Sequence, residues 1–210
     1  MDYNLSKDNK AWVDSVFEKL KIKLAAECAR IGDKIPCVAE DGVYKEDKAI
    51  TDIFWWTNGF WPGMLWQMYH ATGDEAYRQT AEAVEKKLIT TFDGYEDLHH
   101  DVGFMFLHTT VANYKLTGNA KSRTDSRHAA NILAGRYNPL GKFIRAWNDW
   151  TPGESMAGWV IIDCMMNIPL LYWASEDLCD PRYKAIAIEH ADTMLEKLMR
   201  SDGRDRKSVV

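Results

Sequence analysis

Ala71-Thr72-Gly73-Asp74-Glu75-Ala76-Tyr77-Arg78 reads as the end of one helix, a tight turn and the start of another. Gly73 is a natural C-cap, because glycine enters the left-handed region without a Cβ penalty. Asp74 follows as an N-cap, with Tyr77, Ala81, Val84 and Leu88 as the inward face of the next helix. The phrase recurs. Leu116-Thr117-Gly118-Asn119 leads into a helix with Ala129 and Ala130, and Ala174-Ser175-Glu176 with Asp180-Pro181-Arg182-Tyr183 leads into Ala185, Ala187 and Ala191. A recurring helix–turn–helix phrase with small Ala positions predicts stacked, closely packed helical hairpins.

Outward from this stretch the periodicity predicts about seven helices, near 8–31, 60–72, 75–92, 101–117, 120–136, 158–175 and 181–200. In the first, Trp12, Val16, Leu20 and Leu24 form the apolar face and Gly32 ends it. Residues 33–58 hold no lasting period and read as a loop. Thr57 or Asn58 stands ready to cap the helix at Phe60. No convincing period-2 run occurs, so the class is all-α with strands absent or minor. Residues 1–200 read as one domain and 201–210 as an irregular charged tail.

The chain has 210 residues, 46% hydrophobic and 27% charged, the composition of an ordinary globular domain. A net charge of −5 without a Lys/Arg block argues against a nucleic-acid partner. No window approaches the ~18 apolar residues of a membrane span, and Met1–Asp14 shows no secretory signal pattern. Cys28, Cys37, Cys164 and Cys179 lack metal-type spacing; Cys28 and Cys164 read as core thiols, and a reducing cytoplasm fits best.

Two acids need a reason. Asp101, in Asp97-Leu98-His99-His100-Asp101-Val102-Gly103-Phe104, opens a helix, where a cap or first-turn anion is the ordinary role. Asp163 lies among Val160, Ile161, Ile162, Cys164, Met165 and Met166. Burial there would raise its pKa and suit a general acid; a structural acceptor is the other reading. His99 and His100 are solvated loop residues or donors to an anionic ligand. As metal ligands they are unconvincing, because adjacent histidines point in different directions and no further ligand stands at an i, i+4 spacing. Nine Trp residues, among them Trp55, Trp56, Trp61, Trp66, Trp147, Trp150 and Trp159, serve either as core or as a platform for sugar rings. No phosphate loop or nucleophile elbow accompanies them.

Three motifs, Trp56-Thr57-Asn58-Gly59-Phe60-Trp61-Pro62-Gly63, His99-His100-Asp101-Val102-Gly103-Phe104 and Ile161-Ile162-Asp163-Cys164, resemble in order and spacing those of glycoside hydrolase family 88, the unsaturated glucuronyl hydrolases. The resemblance covers nearly all of 8–200. It implies an (α/α)6 barrel of six hairpins, here incomplete, and an unsaturated uronic-acid oligosaccharide as substrate. It implies Asp163 as general acid/base, Asp101 as its partner carboxylate, and His100, Trp56, Asn58 and Trp147 around the sugar. It implies no metal and no organic cofactor. About seven helices against the barrel's twelve predict a truncated or frameshifted product with little or no activity alone, and self-association through exposed half-barrel faces. A non-catalytic helical-repeat binding module is the alternative.

Overall fold

The computed structural model describes residues 7–205 and 208–209. Its helices, among the described residues, are α1 (Lys7–Ile31), α2 (Lys48–Thr51), α3 (Phe60–Thr72), α4 (Glu75–Leu88), α5 (Val102–Phe106), α6 (Ala112–Thr117), α7 (Ala120–Gly135), α8 (Pro169–Leu178) and α9 (Pro181–Lys197). A π-turn, Leu107–Val111, joins α5 to α6, so the expected helix over 101–117 is one helical run with a π-bulge inside it. Strands are minor, as expected: β1 (Tyr137–Asn138) pairs with β2 (Phe143–Ile144), and β3 (Val160–Ile161) with β4 (Ser208–Val209), both antiparallel. The chain end expected to be irregular therefore returns to the body through Val209, which sits opposite Val160.

The hairpin turns follow from local chemistry. Thr72 Oγ donates to Met68 O and accepts from Asp74 N, while Gly73 takes φ 71° and Asp74 Oδ1 accepts from Ala76 N. Thr117, Gly118 and Asn119 repeat this at the next turn, with φ 77° at Gly118 and Asn119 capping Lys121 N and Ser122 N. The third turn differs. Cys179, a residue with a Cβ, takes φ 53°, and Ser175 Oγ donates to Asp180 O. Asp180 and Pro181 then open α9.

Helices α3, α5–α6 and α8 lie side by side, backed by α4, α7 and α9, so the hairpins form an incomplete (α/α) ring. Their apolar faces merge in one core that includes Leu65, Trp66, Leu88, Met105, Phe106, Leu133, Leu170 and Tyr183. The predicted face of α4 is buried throughout. Cys28 and Cys164 are core thiols as expected, and among the described residues no helix is long and apolar enough to cross a membrane.

Two expectations fail. Half of the face assigned to the first helix is unpacked: Trp12 is 67% exposed and Leu20 42%, while Val16 and Leu24 are half-buried. Phe17 and Leu24 pack at the edge of the core, and the last turns of α1 are anchored through Cys28, Ile31 and the bond from Trp61 Nε1 to Gly32 O. Residues 158–175 are not one helix either. Val160 and Ile161 pair as a strand, Ile162–Met166 is a 3-10 turn, and α8 begins at Pro169. Proline lacks the N–H that a helix interior needs and so fixes a helix start instead.

Close approach at two glycines draws the future site together. A Cβ on Gly59 would lie 2.3 Å from Phe104 O, and one on Gly103 would lie 2.5 Å from both Cα and O of Asn167. The inner helices and the 3-10 turn can meet at this separation only without those methyl groups.

His190 is fully buried on α9, where its Nδ1 accepts from Ile144 N at 3.1 Å. Burial, then the charge of His100, pushes its pKa down to about 4. The unfolded chain takes up this proton near 6.5, the folded chain only near 4. Stability therefore falls as pH drops through that window, by about 3 kcal/mol for a shift of this size. Urea unfolding of His190→Gln should show a correspondingly flatter loss between pH 6.5 and 4 than the parent chain. Gly103→Ala should lower stability by at least ~2 kcal/mol through backbone overlap. Gly73→Ala, with open space around it, should lose only the ~1 kcal/mol of a left-handed residue. Thermal denaturation of the pair checks the order.

Candidate active site

Asp101 precedes α5 but does not cap it. That work falls to Asn167, from the far side of the Gly103 contact: its Oδ1 accepts from Phe104 N at 2.7 Å. The same amide donates through Nδ2 to Asp101 Oδ1 at 3.1 Å. Asn167 thus satisfies the helix start and fixes the carboxylate at once, which frees Asp101 from the ordinary role its position suggested.

His100 stands between the two acids. Its Nδ1 lies 2.6 Å from Ala146 O, and because a carbonyl only accepts, Nδ1 carries hydrogen. Nε2 then faces Asp101 Oδ1 at 3.2 Å and Asp163 Oδ1 at 3.1 Å. Ala146 O also accepts from His100 N and from Arg136 Nη2, each at 3.1 Å. Arg136 spends its remaining donors on Arg145 O, Leu98 O and Asn148 Oδ1. One guanidinium therefore clamps the turn before His100 to the segment after β2. Ala146 N donates in turn to Trp159 O, just before β3 and Asp163.

Sequence separation hid this frame, but the 3-10 turn puts Asp163 beside Asp101. The acids differ in environment, and not as expected. The Asp163 side chain is 44% exposed, the Asp101 side chain 8%. Burial raises the pKa of Asp101, the His100 charge opposes this, and Asp163 adds to it. The desolvated carboxyl expected at Asp163 is thus Asp101, while Asp163 is the one that opens outward. His99 is driven down to about 4 by burial, then by His100 and Arg136. Arg136 is lowered to about 10, again chiefly by burial, and stays cationic near neutral pH. The cluster can pass one proton among His100 Nε2 and two carboxylates of unequal access.

The histidines do not point apart. His99 Nδ1 lies 3.3 Å from Asp101 Oδ2, and donor atoms of His99, His100 and Asp101 all fall within 4.8 Å of one another. The turn at Leu98–Asp101 brings the two rings to 5.4 Å.

Aromatic rings flank the acids. Trp147 meets the His100 ring edge-on at 6.1 Å and contacts Trp150 and Trp159 at 6.0 and 5.7 Å. Trp56, 38% exposed, packs on Phe60 and Phe104. Asn58 does not join them. It is completely buried, with Nδ2 donating to Asp52 O and Ile53 O, and it neither caps α3 nor reaches an open surface. It braces the loop ahead of Gly59.

Asn167, Arg136 and the Ala146 carbonyl are missing from the sequence reading. Asn167 carried a signal of its own, an amide between Met166 and Ile168 next to the run that drew attention to Asp163.

Known proteins share this arrangement of sequence and fold. The chain is 35% identical over 192 residues to an unsaturated glucuronyl hydrolase of Bacillus sp. (strain GL1), spanning 91% of this chain and 50% of the relative. It is 37% identical over 155 residues to an unsaturated chondroitin disaccharide hydrolase of Streptococcus pyogenes serotype M1, spanning 73% and 38%. The crystal structure of the Bacillus sp. GL1 enzyme superposes with a TM-score of 0.77 at 33% identity, over 87% of this chain and 48% of that one. The chain thus spans about half the length of the Bacillus relative. The model of Glycosyl Hydrolase Family 88 matches residues 29–203, and with the helical ring already in place this shows that the chain belongs to that family.

Proposed function

We propose that this chain supplies the acid/base wall of a hydrolase that releases a 4-deoxy-enuronate sugar from the non-reducing end of an oligosaccharide. The observation that carries the reading is His100 Nε2, held within 3.2 Å of a buried and an outward-facing carboxylate. The names of the relatives, an unsaturated glucuronyl hydrolase and an unsaturated chondroitin disaccharide hydrolase, support the substrate class. On this reading residues 1–200 are one partial hydrolase domain.

The double bond of such a sugar joins C4 to C5, and C5 also bears the ring oxygen, so it is an enol ether. Asp163, the exposed acid, gives a proton to C4. Positive charge develops at C5 and is shared with the ring oxygen. Water adds at C5, and Asp163, now a carboxylate, takes the proton that the water loses. The resulting hemiketal opens, and the glycosidic bond breaks as the sugar rearranges. Asp101 and His100 keep a proton close to Asp163 and orient the sugar's hydroxyls, a task for donors and acceptors already fixed by Asn167 and Ala146. Trp56 and Trp147 border the ring, where an indole face suits the apolar face of a pyranose.

Self-association is supported by apolar side chains that stay exposed, chiefly Trp12 and Ile22 on α1 and Ile50 on α2. Analytical ultracentrifugation should show oligomers that Trp12→Ser with Ile22→Ser dissolves.

Hydrolysis destroys the conjugated double bond, so turnover of unsaturated chondroitin disaccharide, slight in a partial domain, is read as loss of its ultraviolet absorbance. Asp163→Asn should slow this at least ~100-fold, the scale of a lost general acid, while leaving disaccharide binding in place. Binding with no absorbance loss in either protein would favour the helical binding module instead.

A further inference from the structure

The two carboxylates have an unusual set of partners. Among the described residues, the ion pairs of Asp101 and Asp163 are with histidines alone. The nearest guanidinium, Arg136, is committed to three backbone carbonyls and Asn148. His99, His100 and Asp101 bring donor atoms within 4.8 Å of one another, and Asp163 stands beside them against His100 Nε2.

Neighbouring pairs in this group have the spacing of adjacent ligands, and small side-chain rotations would close the rest. Tetrahedral bonds of about 2.0–2.1 Å to nitrogen and oxygen place neighbouring donor atoms about 3.3 Å apart. Here His99 Nδ1 is 3.3 Å from Asp101 Oδ2, His100 Nε2 is 3.2 Å from Asp101 Oδ1, and Asp163 Oδ1 is 3.1 Å from His100 Nε2. The supports match too. A metal-bound imidazole usually donates its other N–H to a carbonyl or carboxylate, which fixes the ring and leaves the ligating nitrogen unprotonated. His100 Nδ1 does this to Ala146 O at 2.6 Å, and Asn167 holds Asp101 by a hydrogen bond. Two imidazoles and carboxylate oxygens suit zinc and its late first-row neighbours rather than calcium or magnesium, which favour all-oxygen shells.

We propose that His99, His100 and Asp101, with Asp163 at their edge, form a binding site for a zinc-class divalent cation that excludes the proton-transfer state. The inhibitory half of this statement rests on the hydrolase reading above; the site itself does not. A cation seated there takes His100 Nε2, the atom that faces Asp163, so the pair can no longer serve the sugar. The consequence is a hydrolase that micromolar-to-millimolar free zinc would switch off and a chelator would switch back on.

The test is a zinc titration of the purified chain at neutral pH against a chromophoric chelator, with no sugar present. One equivalent of zinc should bind. His99→Ala should weaken it at least tenfold, and His100→Gln likewise. Cobalt(II) should give the intense visible bands of a tetrahedral site, lost in His99→Ala. The double variant Cys37→Ser with Cys179→Ser should leave both signals unchanged, since those thiols are the competing soft ligands. His99 meets Asp101 only through Nδ1, which accepts from Asp101 N at 3.5 Å, while Asn167 and Ala146 hold Asp101 and His100, so circular dichroism of His99→Ala should match the parent. No zinc uptake, or uptake that survives His99→Ala and vanishes with the cysteines, overturns the proposal. A chain that binds zinc as described but never turns over a disaccharide leaves the site standing and removes the hydrolase reading.

Discussion

One carbonyl oxygen organises the site. Ala146 O receives the ring N–H and the backbone N–H of His100 and a guanidinium N–H of Arg136. With Nδ1 committed, the only remaining ring nitrogen is Nε2, and its direction is set toward both acids. A neutral or charged imidazole elsewhere would be free to rotate or to exchange tautomers. Here the tautomer is a consequence of backbone geometry, and the acids inherit their separation from it. Removing any of the three donors would change which atom faces Asp163 before it changed the fold.

The helical ring exists to bring distant segments to that carbonyl. Capped turns of a few residues fix the hairpins locally, and the inner helices then stack closely enough for the Gly59 and Gly103 contacts. Asn167 is the point where this packing becomes chemistry. It answers an unpaired helix N–H, a need any helix has, and so brings a fixed donor to Asp101. The same arrangement explains why the more buried acid is the one nearer the helix start. Asp101 is enclosed by α5 and Asn167, whereas Asp163 projects from a short turn that only one side covers.

What could be read from the sequence was what local chemistry decides. The Thr-Gly-Asp and Thr-Gly-Asn turns, the face of α4 and the two acids in apolar runs each depend on neighbours within a few residues. The face of α1 could not be read this way, because periodicity marks an apolar stripe without saying whether anything covers it. Residues 158–175 failed for a related reason: an apolar run of that length fits a strand, a 3-10 turn and a helix start equally well until Pro169 is weighed. Arg136 and Ala146 are ordinary residue types whose importance lies wholly in long-range partners. The motif around Asn58 is a packing motif as well as a site motif, and its amide serves the first purpose.

The third hairpin turn has a different character from the other two. Cys179 holds a left-handed conformation that Gly73 and Gly118 adopt freely. A side chain there stores on the order of 1–2 kcal/mol. The Ser175–Asp180 bond and the start of α9 hold that strain in place. Of the three hairpin turns, this is the one that carries backbone strain. Evolutionary drift toward glycine at this one position would relax the joint without touching the acids, so the rigidity of the α8–α9 pair is set separately from the chemistry of the site.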